Sequence, residues 1–155
     1  MVNLVYIDTS VVGGVFDEEF ELWTNMFFDK VKSGAFKVAV SELLFQELEY
    51  APDRVKNYID KLPETQILAA VYDDRAKKLA DAYVHAGIVG PASLTDCRHI
   101  ATATVNEVRI LASWNFKHIV NLNKIRLYNG INVKEGYVPL EIRTPRELLD
   151  YENEN

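Results

Sequence analysis

Three apolar residues, Ile110-Leu111-Ala112, run straight into Ser113-Trp114-Asn115-Phe116-Lys117-His118, and few folds accommodate that transition. So short and apolar a run reads as a strand covered on both faces, the way strands of a parallel sheet are built. A polar burst at the carboxyl end of such a strand is where open α/β sheets place their ligand sites. Upstream, Ile100, Ala101 and Ala103 give the segment after Thr95 a small apolar side, which predicts a helix capped by Thr95 and lying close to the sheet. Asp96 opens that helix and can share the rim with the burst. A lone Asp at a helix start is also what the helix dipole stabilises, so the other strands have to decide its role.

The N-terminus repeats the pattern. Leu4 to Ile7 is a buried-strand run that ends at Asp8-Thr9-Ser10, a carboxylate followed by two hydroxyls able to cap the next turn. Gly13-Gly14 marks a flexible connection. A helix follows over residues 18–32, with Phe20, Trp23, Phe27 and Val31 on one face, read as core, and Gly34 just past its end. Phe36 to Val40 is the second strand. Ser41 caps a helix with Leu43, Leu44 and Leu48 inward, which Pro52 ends; Glu47 falls in its apolar stretch. A further helix over 53–62 makes a hairpin projecting from the sheet, and 66–71 forms an outer strand. Residues 73–86 form a helix with Ala76, Leu79, Ala80 and Tyr83 inward and Gly87 after it. Beyond His118, residues 121–129 read as a short helix that Gly130 ends, and 136–142, with Pro139, as an edge strand. Thr144-Pro145 starts a last helical turn, and residues 151–155 read as frayed. Strands alternating with helices predict a three-layer α/β/α domain around a mainly parallel sheet, spanning 1–155.

Composition excludes several classes. With 48% apolar and 26% charged residues and no run long enough to cross a bilayer, the chain reads as globular, with no membrane partner. The start lacks a basic leader, so the expected location is cytoplasmic. One cysteine and three histidines offer neither an internal disulfide nor a zinc pattern. A net charge of −6 argues against simple coating of nucleic acid, but the charge is uneven: residues 98–146 carry 8 Lys/Arg against 3 Asp/Glu, and residues 1–97 carry 9 against 16. Arg98, Lys117, Lys124 and Arg126 thus surround the polar burst. A basic rim beside an acidic centre suits a polyanion held against a metal; scattered solvated lysines give the same count.

Strand tips and helix starts at one edge of a parallel sheet converge in space. That collects Asp8, Asp96 and Asn115, with Glu47 reaching in from the helix after the second strand. Unoccupied, these carboxylates would repel one another. Hard oxygen donors of this kind suit Mg²⁺ or Mn²⁺, which keep several waters and pair with phosphate oxygens. The matching reaction is hydrolysis of a phosphodiester by metal-activated water.

These residues also resemble a family, the PIN domain of VapC-type toxins and related ribonucleases. Ile7-Asp8-Thr9-Ser10 is similar to its opening acidic signature, and Val40-Ser41 followed by Glu47-Leu48 to its second. Asp96-Cys97-Arg98-His99-Ile100-Ala101-Thr102-Ala103 is similar to the third, and Leu111-Ala112-Ser113-Trp114-Asn115-Phe116 to the fourth, with Asn115 where Asp is usual. Ser-Trp-Asn-Phe-Lys-His resembles a variant that recurs in one branch of PIN-like proteins. The likeness runs from Leu4 to about Leu149. It implies a metal-dependent endoribonuclease leaving a 5′-phosphate and a 3′-hydroxyl, with RNA as substrate, an antitoxin partner and a homodimer. It also implies that Asp8, Glu47, Asp96 and Asn115 are the catalytic and metal-binding set.

Around that set, Thr9, Ser10 and Ser113 are expected to support it with their hydroxyls. His118, with Lys117 beside it, is either a phosphate contact or a surface histidine, and His99, one turn beyond Asp96, either orients that carboxylate or packs as a core histidine of the helix. Two other readings stay open: a PIN-fold module that binds RNA or protein without efficient catalysis, because Asn115 removes a charge, and a phosphatase of the haloacid dehalogenase type. The latter needs a second Asp two residues after the first, where this chain has Ser10.

Overall fold

The computed structural model describes residues 3–153. Five strands form one sheet: β1 (Asn3–Ile7), β2 (Phe36–Val40), β3 (Ile67–Ala69), β4 (Ile110–Ala112) and β5 (Glu141–Arg143), in the order β3-β2-β1-β4-β5. Every pairing is parallel, with Val5 opposite Val38 on one side and Ile7 opposite Ala112 on the other. The fold is therefore α/β with an all-parallel sheet between helical layers. Alternation along β1 shows why its run is unbroken: Val5 and Ile7 enter one core and Tyr6 the opposite one, all fully buried.

Helices α1 (Thr9–Gly14), α2 (Glu21–Lys32) and α8 (Pro145–Asn153) cover the Val5 face. On the Tyr6 face lie α5 (Asp74–His85), α6 (Leu94–Val105) and α7 (Leu122–Lys134). Between β2 and β3 come α3 (Glu42–Glu47) and the single turn α4 (Asp53–Lys56). From β1 the chain builds outward through β2 and β3, then returns to place β4 on the other flank of β1. The direction of winding thus reverses between β1 and β4. In open α/β sheets the ligand crevice lies outside the carboxyl ends of strands at such a switch point, and here those ends carry Asp8 and Ser113.

Several sequence expectations shift. The helix over 53–62 shortens to α4 and a 3₁₀ turn at Ile59–Lys61, and no hairpin projects, because Tyr58, Ile59 and Leu62 are buried in the core on the Val5 face. Thr95 lies inside α6, whose N-cap is Ser93. Gly130 does not stop α7, which continues to Lys134; Gly136, at φ +89°, follows its end. Pro139 lies outside the strand that 136–142 was expected to form, and pairing starts only at Glu141. After Thr144, whose hydroxyl accepts from the Glu147 N–H at 3.1 Å while Glu147 accepts from the Thr144 N–H at 3.1 Å, α8 runs well beyond one turn. Its backbone is helical to Asn153, where fraying was expected; Glu154 and Asn155 are outside the described residues.

Gly13-Gly14 is the end of α1 rather than a flexible link. A Cβ on Gly14 would sit 2.7 Å from Thr24 Oγ1 and 2.8 Å from Trp114 Nε1, two atoms hydrogen-bonded to each other at 2.9 Å. Gly14→Ala is expected to destabilise the protein by about 1–3 kcal/mol, the usual cost of overpacking, read as a lower urea midpoint at unchanged slope.

Candidate functional site

Asp8 follows β1 directly and N-caps α1, with extended backbone at φ −89°, ψ 178°. Its carboxylate is almost completely enclosed: Oδ1 accepts from the Ser10 hydroxyl at 2.6 Å and the Val11 N–H at 3.3 Å, and Oδ2 from the Ser113 hydroxyl at 2.6 Å. Ser10 Oγ also accepts the Trp114 N–H at 2.9 Å, and Ser113 Oγ the Asn115 N–H at 3.0 Å. Two sequence-distant stretches, 8–11 and 113–115, are thereby locked together at the β1/β4 switch point. Burial raises the Asp8 pKa above the usual carboxylate value; the charge of His99 and these hydrogen bonds oppose the rise without cancelling it.

Asp96 lies in the first turn of α6, which precedes β4, so it too reaches the carboxyl edge of the sheet. It is half-buried, and its pKa is also raised, first by burial and further by the charge of Glu47; His118, His99 and the Asn115 side chain pull the other way. Glu47, the last residue of α3, behaves differently. Burial works to raise its pKa, but the hydrogen bond and charge of His99 and the Thr9 hydroxyl outweigh it and hold the carboxyl below its ordinary value. Thr9 Oγ1 donates to Glu47 Oε1 at 2.8 Å.

His99 is 2% exposed, the packed histidine of the two readings. Instead of orienting Asp96, its Nε2 meets Glu47 Oε1 at 2.5 Å and its Nδ1 meets the Tyr6 hydroxyl at 2.7 Å. Tyr6 in turn is 2.8 Å from Ser41 Oγ. Ser41, Tyr6, His99 and Glu47 thus form one buried chain of hydrogen bonds, with the two ring nitrogens of His99 spanning Tyr6 and the Glu47 carboxylate. Ser41 makes no side-chain cap on α3; its hydroxyl is committed to Tyr6. Tyr6 did not stand out in the sequence and Ser41 did so only as a helix cap within the second motif, because a tyrosine within a strand and a serine before a helix have ordinary structural uses. Tyr6→Phe leaves His99 Nδ1 and Ser41 without their partner and is expected to cost about 1–3 kcal/mol, measured by urea denaturation; an unchanged midpoint would mean the buried chain contributes no stability.

Asn115 commits its carbonyl oxygen to the following turn: Oδ1 accepts the N–H groups of Lys117 at 3.2 Å and His118 at 3.0 Å, while the side chain also hydrogen-bonds Asp96. In this geometry it caps the following turn and does not present a free oxygen. Lys124 Nζ donates to the Lys117 carbonyl at 2.9 Å and to His118 Nδ1 at 3.3 Å, fixing His118 beside Asp96. Of the basic residues expected at the rim, Lys117, Lys124 and His118 form this loop. Arg98 instead lies over the Tyr72 ring, 5.7 Å from its centroid. Cys97 is buried with its thiol pushed up to about 12 by burial, which makes it a packing residue.

Among the described residues, no three His, Cys, Asp or Glu side chains are gathered closely enough to chelate one ion. The donor chemistry nevertheless suits Mg²⁺ or Mn²⁺, which are commonly held by one or two carboxylates, water and substrate phosphate rather than by an all-protein cage. Two carboxyls whose burial disfavours ionisation, beside a third that is ionised, are what a cation would relieve. Among the described residues, no helix is long and apolar enough to cross a membrane.

No family model and no curated protein matches the sequence. Solved structures do match its shape. VapC20 of Mycobacterium tuberculosis, a sarcin-ricin loop cleaving toxin, has a TM-score of 0.57 at 10% identity, over 88% of this chain and 98% of that one. DNA-bound VapBC from Salmonella typhimurium has a TM-score of 0.56 at 16% identity, over 94% and 99%. VapBC2 from Rickettsia felis, bound to a promoter DNA fragment, has a TM-score of 0.55 at 12% identity, over 91% and 98%. At such identities the agreement is one of architecture, and it covers nearly the whole of each chain. The protein is built on the VapC-like PIN-domain fold.

Proposed function

We propose that this protein is a divalent-metal-dependent endoribonuclease and the toxin member of a toxin–antitoxin pair. The observation that supports the reading is that three carboxylates lie at the carboxyl edge of the sheet: Asp8 held by two serines, Glu47 held by His99 and Thr9, and Asp96 within electrostatic reach of Glu47 and His99. Asp8, Glu47 and Asp96 would hold Mg²⁺ or Mn²⁺, directly or through its water. A bound cation there supplies an activated water and offsets charge on the phosphate. The chain's own groups do the rest. Ser10 and Ser113 hold the Asp8 carboxylate, His99 and Thr9 aim Glu47, and His118 with Lys117 offers donors to a phosphodiester on the basic side of the rim. The fold neighbours that are VapBC assemblies support an antitoxin partner, and a homodimer is part of the same proposal.

The experiment is cleavage of a labelled single-stranded RNA with and without Mg²⁺ or Mn²⁺, alongside calorimetric titration of the metal. Metal-dependent cleavage and saturable binding support the reading; neither signal in wild type would sink it. One observation favours a second reading, a PIN-fold binding module: the Asn115 oxygen is committed to its own turn. Asn115→Asp separates the two. In a nuclease with a working three-acid site the added charge tightens metal binding modestly, whereas a module that has lost catalysis gains both metal binding and cleavage only in the variant.

A further inference from the structure

Between the starts of α2 and α8 and the segment after β4 lies an aromatic cavity of about 430 Å³ that the proposed chemistry leaves unused. Its walls come from three elements: Phe20 and Trp23 at the start of α2, Trp114 and Phe116 after β4, and Arg146 in α8. Phe20 stacks on Trp114 with ring centroids 4.4 Å apart and planes 18° from parallel. Phe116 completes the wall, its ring 6.1 Å from Phe20 and 6.2 Å from Trp114, and it is 51% exposed. The Arg146 guanidinium lies 4.3 Å from the Trp23 ring centroid. Trp114 is held between Ser113 and Asn115, and its own N–H is bonded to Ser10, whose hydroxyl also holds Asp8.

We propose that this cavity is a base-binding subsite, in which a nucleobase next to the cleaved phosphodiester of a single-stranded RNA stacks on Phe116. The inference rests on the nuclease reading for the position of the phosphodiester. Its substrate class follows from the cavity itself. A planar aromatic wall with a guanidinium is the arrangement that stacks unpaired bases, tolerant of their identity, and a duplex cannot present a base to it. The volume suits a small planar guest. Ser10 ties the cavity to the acids, because its hydroxyl donates to Asp8 and accepts the N–H of Trp114 in the cavity wall. Arg146 supplies positive charge for the backbone. Of the two carboxylates at the mouth, Glu147 is engaged by the Thr144 N–H and lies near Arg143, and Glu19 is placed to accept from an exocyclic amino group. A protein segment would also cover aromatic rings, but it gives no reason for their coupling to Asp8.

The chain's two tryptophans, Trp23 and Trp114, both line the cavity, which makes intrinsic fluorescence a local reporter. The test is titration of the full chain with an eight-nucleotide oligo(A) RNA and with a duplex RNA. EDTA is present, so nothing is cleaved. Oligo(A) is expected to quench the fluorescence and the duplex to leave it unchanged. Phe116→Ala should weaken oligo(A) binding about tenfold without altering its salt dependence, Phe116→Tyr should restore it, and Arg146→Gln should lessen the salt slope by about one. Tyr50→Ala, at an exposed aromatic outside the cavity, is expected to bind as wild type.

Equal affinities for wild type and Phe116→Ala, or no binding of oligo(A) by wild type, would overturn the subsite. So would a Phe116-dependent self-association with no effect on RNA, which assigns the cavity to a second copy. Binding through Phe116 without cleavage in Mn²⁺ would overturn the nuclease reading and leave the subsite standing, and cleavage with Phe116-independent binding would do the reverse.

Discussion

Asp96→Asn is expected to slow cleavage of single-stranded RNA on the order of a thousandfold, without unfolding the protein. Asn matches Asp in shape and keeps a hydrogen-bonding partner for Asn115, so the substitution removes one charge and little else. If Asp96 helps hold the cation, that charge is worth several kcal/mol of transition-state stabilisation, and each 1.36 kcal/mol is about a factor of ten in rate. The measurement is single-turnover cleavage in saturating Mn²⁺, with circular dichroism to confirm the fold. Mn²⁺ is the better choice because it binds a given mixed site more tightly than Mg²⁺. A rate within about tenfold of wild type would remove Asp96 from the reacting centre. Asp8→Asn should be at least as damaging, because it also disturbs the Ser10 and Ser113 hydrogen bonds that tie β1 to β4.

The same substitution should raise the melting temperature of the metal-free protein. The sign follows from the burial of Asp96, which lifts its pKa in the folded state. A carboxyl that binds its proton more tightly when folded contributes stability that is fully present below its unfolded value, near 3.9. That contribution is lost as pH rises through the folded value, so at neutral pH the ionised group is a cost. Asn has no such cost. For a domain of this size, each kcal/mol recovered appears as roughly 2–4 °C.

Wild type without metal should accordingly gain from its Asp8 and Asp96 carboxyls as the pH falls from neutral toward their raised values. Glu47 acts in the opposite sense: its lowered pKa contributes stability present above the ordinary value and lost as pH falls through the folded one. Adding Mn²⁺ at neutral pH should stabilise wild type, by about 2.7 kcal/mol at a hundred times its dissociation constant. The double variant Asp8→Asn, Asp96→Asn should show no such shift. A metal-induced shift that survives in the double variant would place the cation elsewhere. A lower melting point for metal-free Asp96→Asn would mean that its hydrogen bonds outweigh its burial.

The gain in stability on losing a proposed catalytic charge is the usual trade between fold and function. Like charges collected at a switch point are poor packing, and the surrounding structure compensates with hydroxyls, a histidine and a buried tyrosine. Gly14 shows the same economy on the opposite face of the sheet, where the absence of a single Cβ lets Trp114 lie against α1 and keep its bond to Thr24.

Strand placement was legible in the chain itself, because burial on both faces is a local demand that Leu4–Ile7, Phe36–Val40 and Ile110–Ala112 each meet on their own. Parallel order followed from their alternation with helices. Once the strands are parallel, Asp8 and Ser113 must lie at one edge, since residues that follow neighbouring strands share it. Helix ends were less legible. Ser93 rather than Thr95 starts α6, and Gly130 is carried inside α7, because packing against α5 and the sheet outweighs the modest preference of any one residue. The partners of the site's polar groups were decided only by tertiary structure. Tyr6 and His99 are separated by 93 positions and Glu47 and His99 by 52, and no local pattern encodes which carboxylate a buried imidazole will meet. Asn115 makes the point within three residues: the sequence places it at the rim, but the direction of its oxygen depends on the turn that Lys117 and His118 close around it, whose two N–H groups it accepts.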